Sequence, residues 1–172
     1  FVDLYFQNKN GTTMTYDGHV HLSYWLAASQ TSGVFYIPGL SMHGNGGFVA
    51  IIAMKNGVFE YTTDGNSWTA VKYKDDGKTA LFNADEWYLI EQFYDGGENS
   101  TVSMKINGRE VEIKHYNRKS VKGITMQLTK WMGTMIGYVD NITVTEVDHE
   151  PMPKPDGNFV VKPTALKFVD AD

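Results

Sequence analysis

The chain has 172 residues, enough for one sizeable core, and its 42% hydrophobic, 13% aromatic and 20% charged composition with 17 glycines excludes a coiled coil or a disordered tail. A net charge of -5 excludes the cationic footprint that nucleic acid or an anionic bilayer surface requires, and no apolar run is long enough to cross a membrane as a helix. The absence of cysteine excludes disulfides and thiolate metal sites, while leaving the compartment open.

The chain opens at Phe1 without Met or a cationic leader, as a mature chain or an excised segment would, and the apolar content of LYFQ (4–7) suits a first strand. GHVHLSYWLAAS (18–29) alternates with period two, the mark of a strand with one buried side. Val20, Leu22, Tyr24, Leu26 and Ala28 form the apolar stripe, and His19, His21, Ser23 and Trp25 form the opposite one. IPGLSMHGNGGF (37–48) is irregular, with Pro38, His43 and Asn45 among glycines. Such a loop can bring backbone amides against a ligand or serve as a connector.

GFVAIIAMKNGVFEYTT (47–63) reads as a hairpin turning at Asn56-Gly57, the pair that supplies the positive φ values of a tight turn. Asp64-Gly65-Asn66-Ser67 and Asp75-Asp76-Gly77-Lys78 punctuate the chain on either side of SWTAVKY. EWYLIEQFYD (86–95) leads into STVSMKINGREVEIKHY, where Val102, Met104 and Ile106 point inward, Asn107-Gly108 turns, and Val111 and Ile113 point inward again. GITMQLTKW (123–131) alternates at Ile124, Met126 and Leu128, and YVDNITVTEV (138–147) at Ile142 and Val144.

No segment carries a capped helical stripe, so the fold class is all-β. That many strands in one domain predict two antiparallel sheets packed face to face in a jelly-roll sandwich over residues 1–147. Composition changes at Asp148. DHEPMPKPDGN (148–158) holds three of the five prolines and predicts a linker, after which FVVKPTALKFVDAD (159–172) reads as strand, like the opening of an immunoglobulin-like module.

Four pieces stand in a recognisable order: GFVAIIAMKNGVFEY (47–61), WYLIEQFYD (87–95), TVSMKINGREV (101–111) and GYVDNITVTE (137–146). Together they resemble the laminin-G-like or concanavalin A-like lectin/glucanase superfamily, in which a Trp-led strand ends in Tyr-Asp and a Gly-x-x-Asp-Asn strand closes the domain. The resemblance implies the sandwich fold, a secreted or cell-surface bacterial setting, and a role among carbohydrate-binding modules, hydrolases, lyases or adhesive spacers. It also implies that Asp140 contributes to a structural calcium site with main-chain oxygens. Asp140 and Asn141 can equally be turn acceptors at a strand start.

Catalytic signatures are missing from the sequence. The Glu-x-Asp-x-x-Glu strand of retaining hydrolases in this superfamily does not occur, and Asp85, Glu86 and Glu91 read as a solvated set. His43, Tyr36, Gln92 and Arg109 are the residue types a lyase needs, without its surrounding signature. His19 and His21, two apart on one face, could hold a transition metal given further ligands, and otherwise read as exposed sheet histidines. With Trp25 they form a potential sugar-stacking face. Trp68 and Trp131, at strand and loop junctions, join His43 and Asn45 as further ligand-binding candidates, while Trp87 reads as core. The expectation is a noncatalytic lectin-like module with a glycan and neighbouring domains of its own polypeptide as partners; a spacer without a sugar site, or a divergent hydrolase or lyase, is the alternative.

Overall fold

The computed structural model describes residues 2–42, 47–127 and 135–156. They form strands and no α-helix. In chain order the strands are β1 (Val2–Tyr5), β2 (His19–Ala28), β3 (Val34–Tyr36), β4 (Gly39–Ser41), β5 (Ile51–Lys55), β6 (Val58–Thr62) and β7 (Thr69–Ala70). They continue as β8 (Lys72–Tyr73), β9 (Tyr88–Asp95), β10 (Thr101–Ile106), β11 (Arg109–Glu112), β12 (Gly123–Met126) and β13 (Gly137–Thr145).

Six strands in the order β13-β2-β9-β10-β11-β8 make one sheet. The opposing strands form a four-stranded sheet, β3-β5-β6-β7, and a three-stranded one, β1-β12-β4. Every pairing between strands is antiparallel. The predicted alternation supplies the core: Leu22, Tyr24, Leu26, Met104 and Ile106 from the six-stranded sheet meet Phe35, Leu40, Ile52, Met54, Phe59 and Ile124 from the others. The fold is the antiparallel jelly-roll sandwich that the sequence predicts.

Both Asn-Gly pairs form the expected turns, with φ 49° and 83° at Asn56 and Gly57, and 51° and 76° at Asn107 and Gly108. Each Asn also reaches sideways: Asn107 Oδ1 accepts the Leu89 N–H at 2.8 Å, and Asn56 Oδ1 accepts the Gly33 N–H at 3.1 Å. Turn residues thus pin neighbouring segments as well as reversing the chain.

A buried polar bridge ties the layers together. Gln92 Nε2 donates to Pro38 O at 2.8 Å and to the Tyr24 hydroxyl at 3.3 Å, Tyr24 donates to the same Pro38 O at 2.7 Å, and Gln92 Oε1 accepts the Leu40 N–H at 3.4 Å. Gln92 and Tyr24 are 2% and 0% exposed, so no solvent replaces a lost partner.

Two details depart from simple alternation. Trp87 is half-buried, and the core ring at the head of β9 is its neighbour Tyr88, which meets Phe59 edge-on at 5.5 Å. The pairing of β13 with β2 slips by one residue between Asp140 and Thr143, with Asn141 in the left-handed region at φ 54°. Ile142, expected inward, therefore stands exposed, while Val144 packs against the core.

Gly137 begins β13 against the core residue Phe35. A Cβ there would lie 2.2 Å from Phe35 Cε2. Gly137→Ala is expected to lower stability by about 1–3 kcal/mol through overpacking. Urea unfolding checks this, and Phe35→Leu in the same chain should recover part of the loss.

Candidate functional site

The stripe His19, His21, Ser23 and Trp25 lies on the outer side of the six-stranded sheet. Cross-strand register sets His21 beside Phe93, Ser23 beside Glu91 and Trp25 beside Leu89. The structure places the chain's own residues 148–156 over this stripe. His19 Nε2 bonds Asp148 Oδ1 at 2.8 Å, the His149 N–H donates to His21 Nδ1 at 3.1 Å, and Ser23 Oγ bonds His149 Nε2 at 2.7 Å. Farther along, Trp25 Nε1 donates to Met152 O and Asn141 Nδ2 to Pro153 O, both at 2.9 Å. The described part of the predicted linker is thus a docked strap.

His21 is consequently 1% exposed, correcting the expectation of two solvated histidines. Its ring stacks between Phe93 at 4.2 Å and His149 at 4.0 Å. Because Nδ1 accepts the His149 N–H, the neutral ring carries its proton on Nε2, which lies 3.4 Å from Glu91 Oε1 without forming a hydrogen bond. Burial, reinforced by His149, lowers the His21 pKa to about 4. Glu91, expected in solvent, is 8% exposed, and burial raises its pKa. A sugar could use the Trp25 stripe only by displacing the strap.

A second aromatic face lies at the four-stranded sheet. Tyr36 closes β3 and points away from the core, since its neighbour Phe35 points in. Its ring meets Trp68 edge-on at 5.5 Å. Lys55 lies over the Trp68 ring at 5.2 Å and bonds Glu60 at 2.9 Å, so a half-buried aromatic pair is fringed by a cation and a carboxylate. The ensuing turn is held by Asp64, whose Oδ1 accepts the N–H groups of Asn66 at 2.8 Å and Ser67 at 2.7 Å. These backbone bonds hold its carboxyl well below the usual range.

A third feature was not foreseen. A pocket of about 260 Å³ opens between the segment after β1 and the end of β13, lined by Phe6, Gln7, Tyr16, Val20, Val144, Thr145 and Glu146. Phe6 and Tyr16 meet edge-on at 5.4 Å. The only sequence signal was Tyr16 itself, a lone ring in the polar run NKNGTTMTYDG, and period-two patterning says nothing about such a segment.

The other expected residues separate. His43, Asn45 and Trp131 lie outside the described residues. Asp140 is exposed and its Oδ1 accepts the Asn141 N–H at 2.7 Å, so one carboxylate oxygen serves a local turn. Among the described residues no three His, Asp or Glu side chains are grouped to hold a metal ion. Of the residue types a lyase needs, the three that are described do not converge: Gln92 is committed to the core bridge, Tyr36 to the Trp68 face, and Arg109 to Asp75 at 2.6 Å and the Tyr73 ring at 3.7 Å. Glu86 accepts from Asn83 and Tyr88, a different set of partners from that of Glu91.

This architecture defines a concanavalin A-like jelly roll. It is similar to a sialidase (TM-score 0.54, 12% identity), of which the chain spans 13% while 76% of the chain is covered. It is also similar to the alginate lyase AlgAT5 of polysaccharide lyase family 7 (TM-score 0.54, 12% identity, covering 83% of this chain and 68% of that one). A third likeness is to the cellulose-induced protein Cip1 (TM-score 0.53, 12% identity, 78% and 70%). No protein-family model matches the sequence, and no curated protein matches it.

Proposed function

We propose that the chain is a noncatalytic carbohydrate-binding module of a secreted or surface-attached protein, with the Tyr36–Trp68 face as its glycan platform. The observation that carries this reading is the pair itself: two half-buried rings at 5.5 Å, with Lys55 and Glu60 at hand. Aromatic faces pack on pyranose C–H groups, while a cation and a carboxylate bond the ring hydroxyls from the side. The kinship of fold with a sialidase and an alginate lyase supports a glycan as the ligand class. The dispersal of Gln92, Tyr36 and Arg109 supports binding over cleavage.

Trp68→Ala is expected to lower affinity for a responsive polysaccharide by about 5- to 150-fold, because a stacking ring at a recognition site carries about 1–3 kcal/mol. Affinity electrophoresis across a polysaccharide panel, with circular dichroism as the folding control, checks this. Unchanged retardation of the variant would sink the platform. Release of unsaturated products from any panel member would replace the binding module with a lyase.

A further inference from the structure

We propose that the pocket between the segment after β1 and the end of β13 is a separate subsite for a single pyranose unit, neutral or amine-bearing and not acidic; this rests on the carbohydrate reading above and adds a second place and a charge preference to it. Size sets the first limit. At about 260 Å³ the pocket lies below the ~300–1,000 Å³ typical of sites for drug-sized ligands, which fits one ring and not an oligosaccharide.

The wall is built in advance. Phe6 N–H donates to Lys122 O at 2.7 Å, Met14 N–H to Phe6 O at 2.7 Å, and Tyr16 and Val121 exchange both backbone bonds at 2.8 Å. The edge-on pair of Phe6 and Tyr16 is therefore fixed before any ligand arrives, so little ordering is left to oppose binding. Val144, with the buried Val20 behind it, adds apolar surface for the C–H side of a ring, and Gln7 and Glu146 supply polar partners for its hydroxyls, while the Thr145 hydroxyl is engaged with Val147 O and His149.

Charge decides among sugars. Among the described residues Glu146 is the one charged residue of the lining, and no Lys, Arg or His joins it. The Tyr16 hydroxyl lies beside that carboxylate, which raises the Tyr16 pKa, so the phenol stays protonated and donates. A uronate or sialate would bring its carboxylate to Glu146 without a cation to offset it. An ammonium or a neutral hydroxyl meets an acceptor instead.

D-glucosamine, D-glucose and D-glucuronate share one ring and differ in charge, so they make the test. Ligand titrations followed by methyl shifts of Val20 and Val144 should respond to glucosamine and glucose, with glucuronate weaker by at least about tenfold. Glu146→Gln, at an exposed position, should narrow the gap between glucosamine and glucuronate. Tyr16→Phe should keep the wall and weaken all the responses. Equal responses to glucosamine and glucuronate, or no shift of either methyl with any of the three, would overturn the subsite. The methyl responses should persist in Trp68→Ala; their loss there would overturn the separate subsite and leave the sugar platform standing. Methyl responses in a chain that binds no polysaccharide would remove the platform and keep the pocket.

Discussion

Acidification from pH 7 to pH 4 is expected to loosen residues 148–156 from the six-stranded sheet while the sandwich stays folded. The cause is His21. Docked, its ring has a pKa lowered from 6.5 to about 4, and the released ring returns toward 6.5. The undocked state therefore binds more protons across that window, so docking weakens as pH falls through 6.5 and the loss levels off below about 4. The full penalty approaches about 3 kcal/mol.

Geometry gives the same sign. The one ring nitrogen able to take the new proton is Nδ1, which accepts the His149 N–H, and protonation sets two donors against each other. Around the ring stand His149, His19 and Lys105, which oppose its charge, and Asp148, which favours it. Among the described residues Glu91, at 3.4 Å from Nε2, and Glu150 are further acids near the cluster. Hydrogen exchange at Trp25 Nε1, whose partner is Met152 O, reports release. Protection that is the same at pH 4 and pH 7 would sink the idea. His21→Phe keeps a ring between Phe93 and His149, and should leave a weaker but far less pH-dependent strap.

Gln92→Leu is expected to lower stability by about 2–4 kcal/mol. One side chain serves Pro38 O, the Tyr24 hydroxyl and the Leu40 N–H, and the substitution strips the Leu40 N–H of that acceptor and Pro38 O of one of its two donors inside a dry core. Tyr24→Phe should cost only about 1 kcal/mol, since Pro38 O keeps Gln92 as a donor. Urea unfolding with an unchanged slope checks both values. A Gln92→Leu midpoint equal to that of the parent would mean the bridge contributes nothing net.

The sandwich was legible because its rule is local. Leu22, Tyr24 and Leu26 announce a buried side by spacing alone, and Asn56-Gly57 and Asn107-Gly108 announce their turns by backbone preference alone. The candidate site was legible only where position on a strand was enough. The outward stripe of β2 was found, yet nothing within it says that residues 148–156 return across more than a hundred positions to cover it. Prolines and charges mark a segment without regular structure, which fits a docked strap as well as a spacer. The Phe6 and Tyr16 pocket escaped for a similar reason: its two walls lie at opposite ends of the chain, and no periodicity links them.

The slip at Asn141 has a consequence beyond the domain's own packing. β13 is an outermost strand of the six-stranded sheet, and a straight outermost strand offers unpaired amides and carbonyls to any extended chain that drifts past. The left-handed residue breaks that row midway, and its side chain holds Pro153 beside the break. Crowded copies of this protein should therefore resist joining edge to edge into fibrils, and straightening the break would hand them a template.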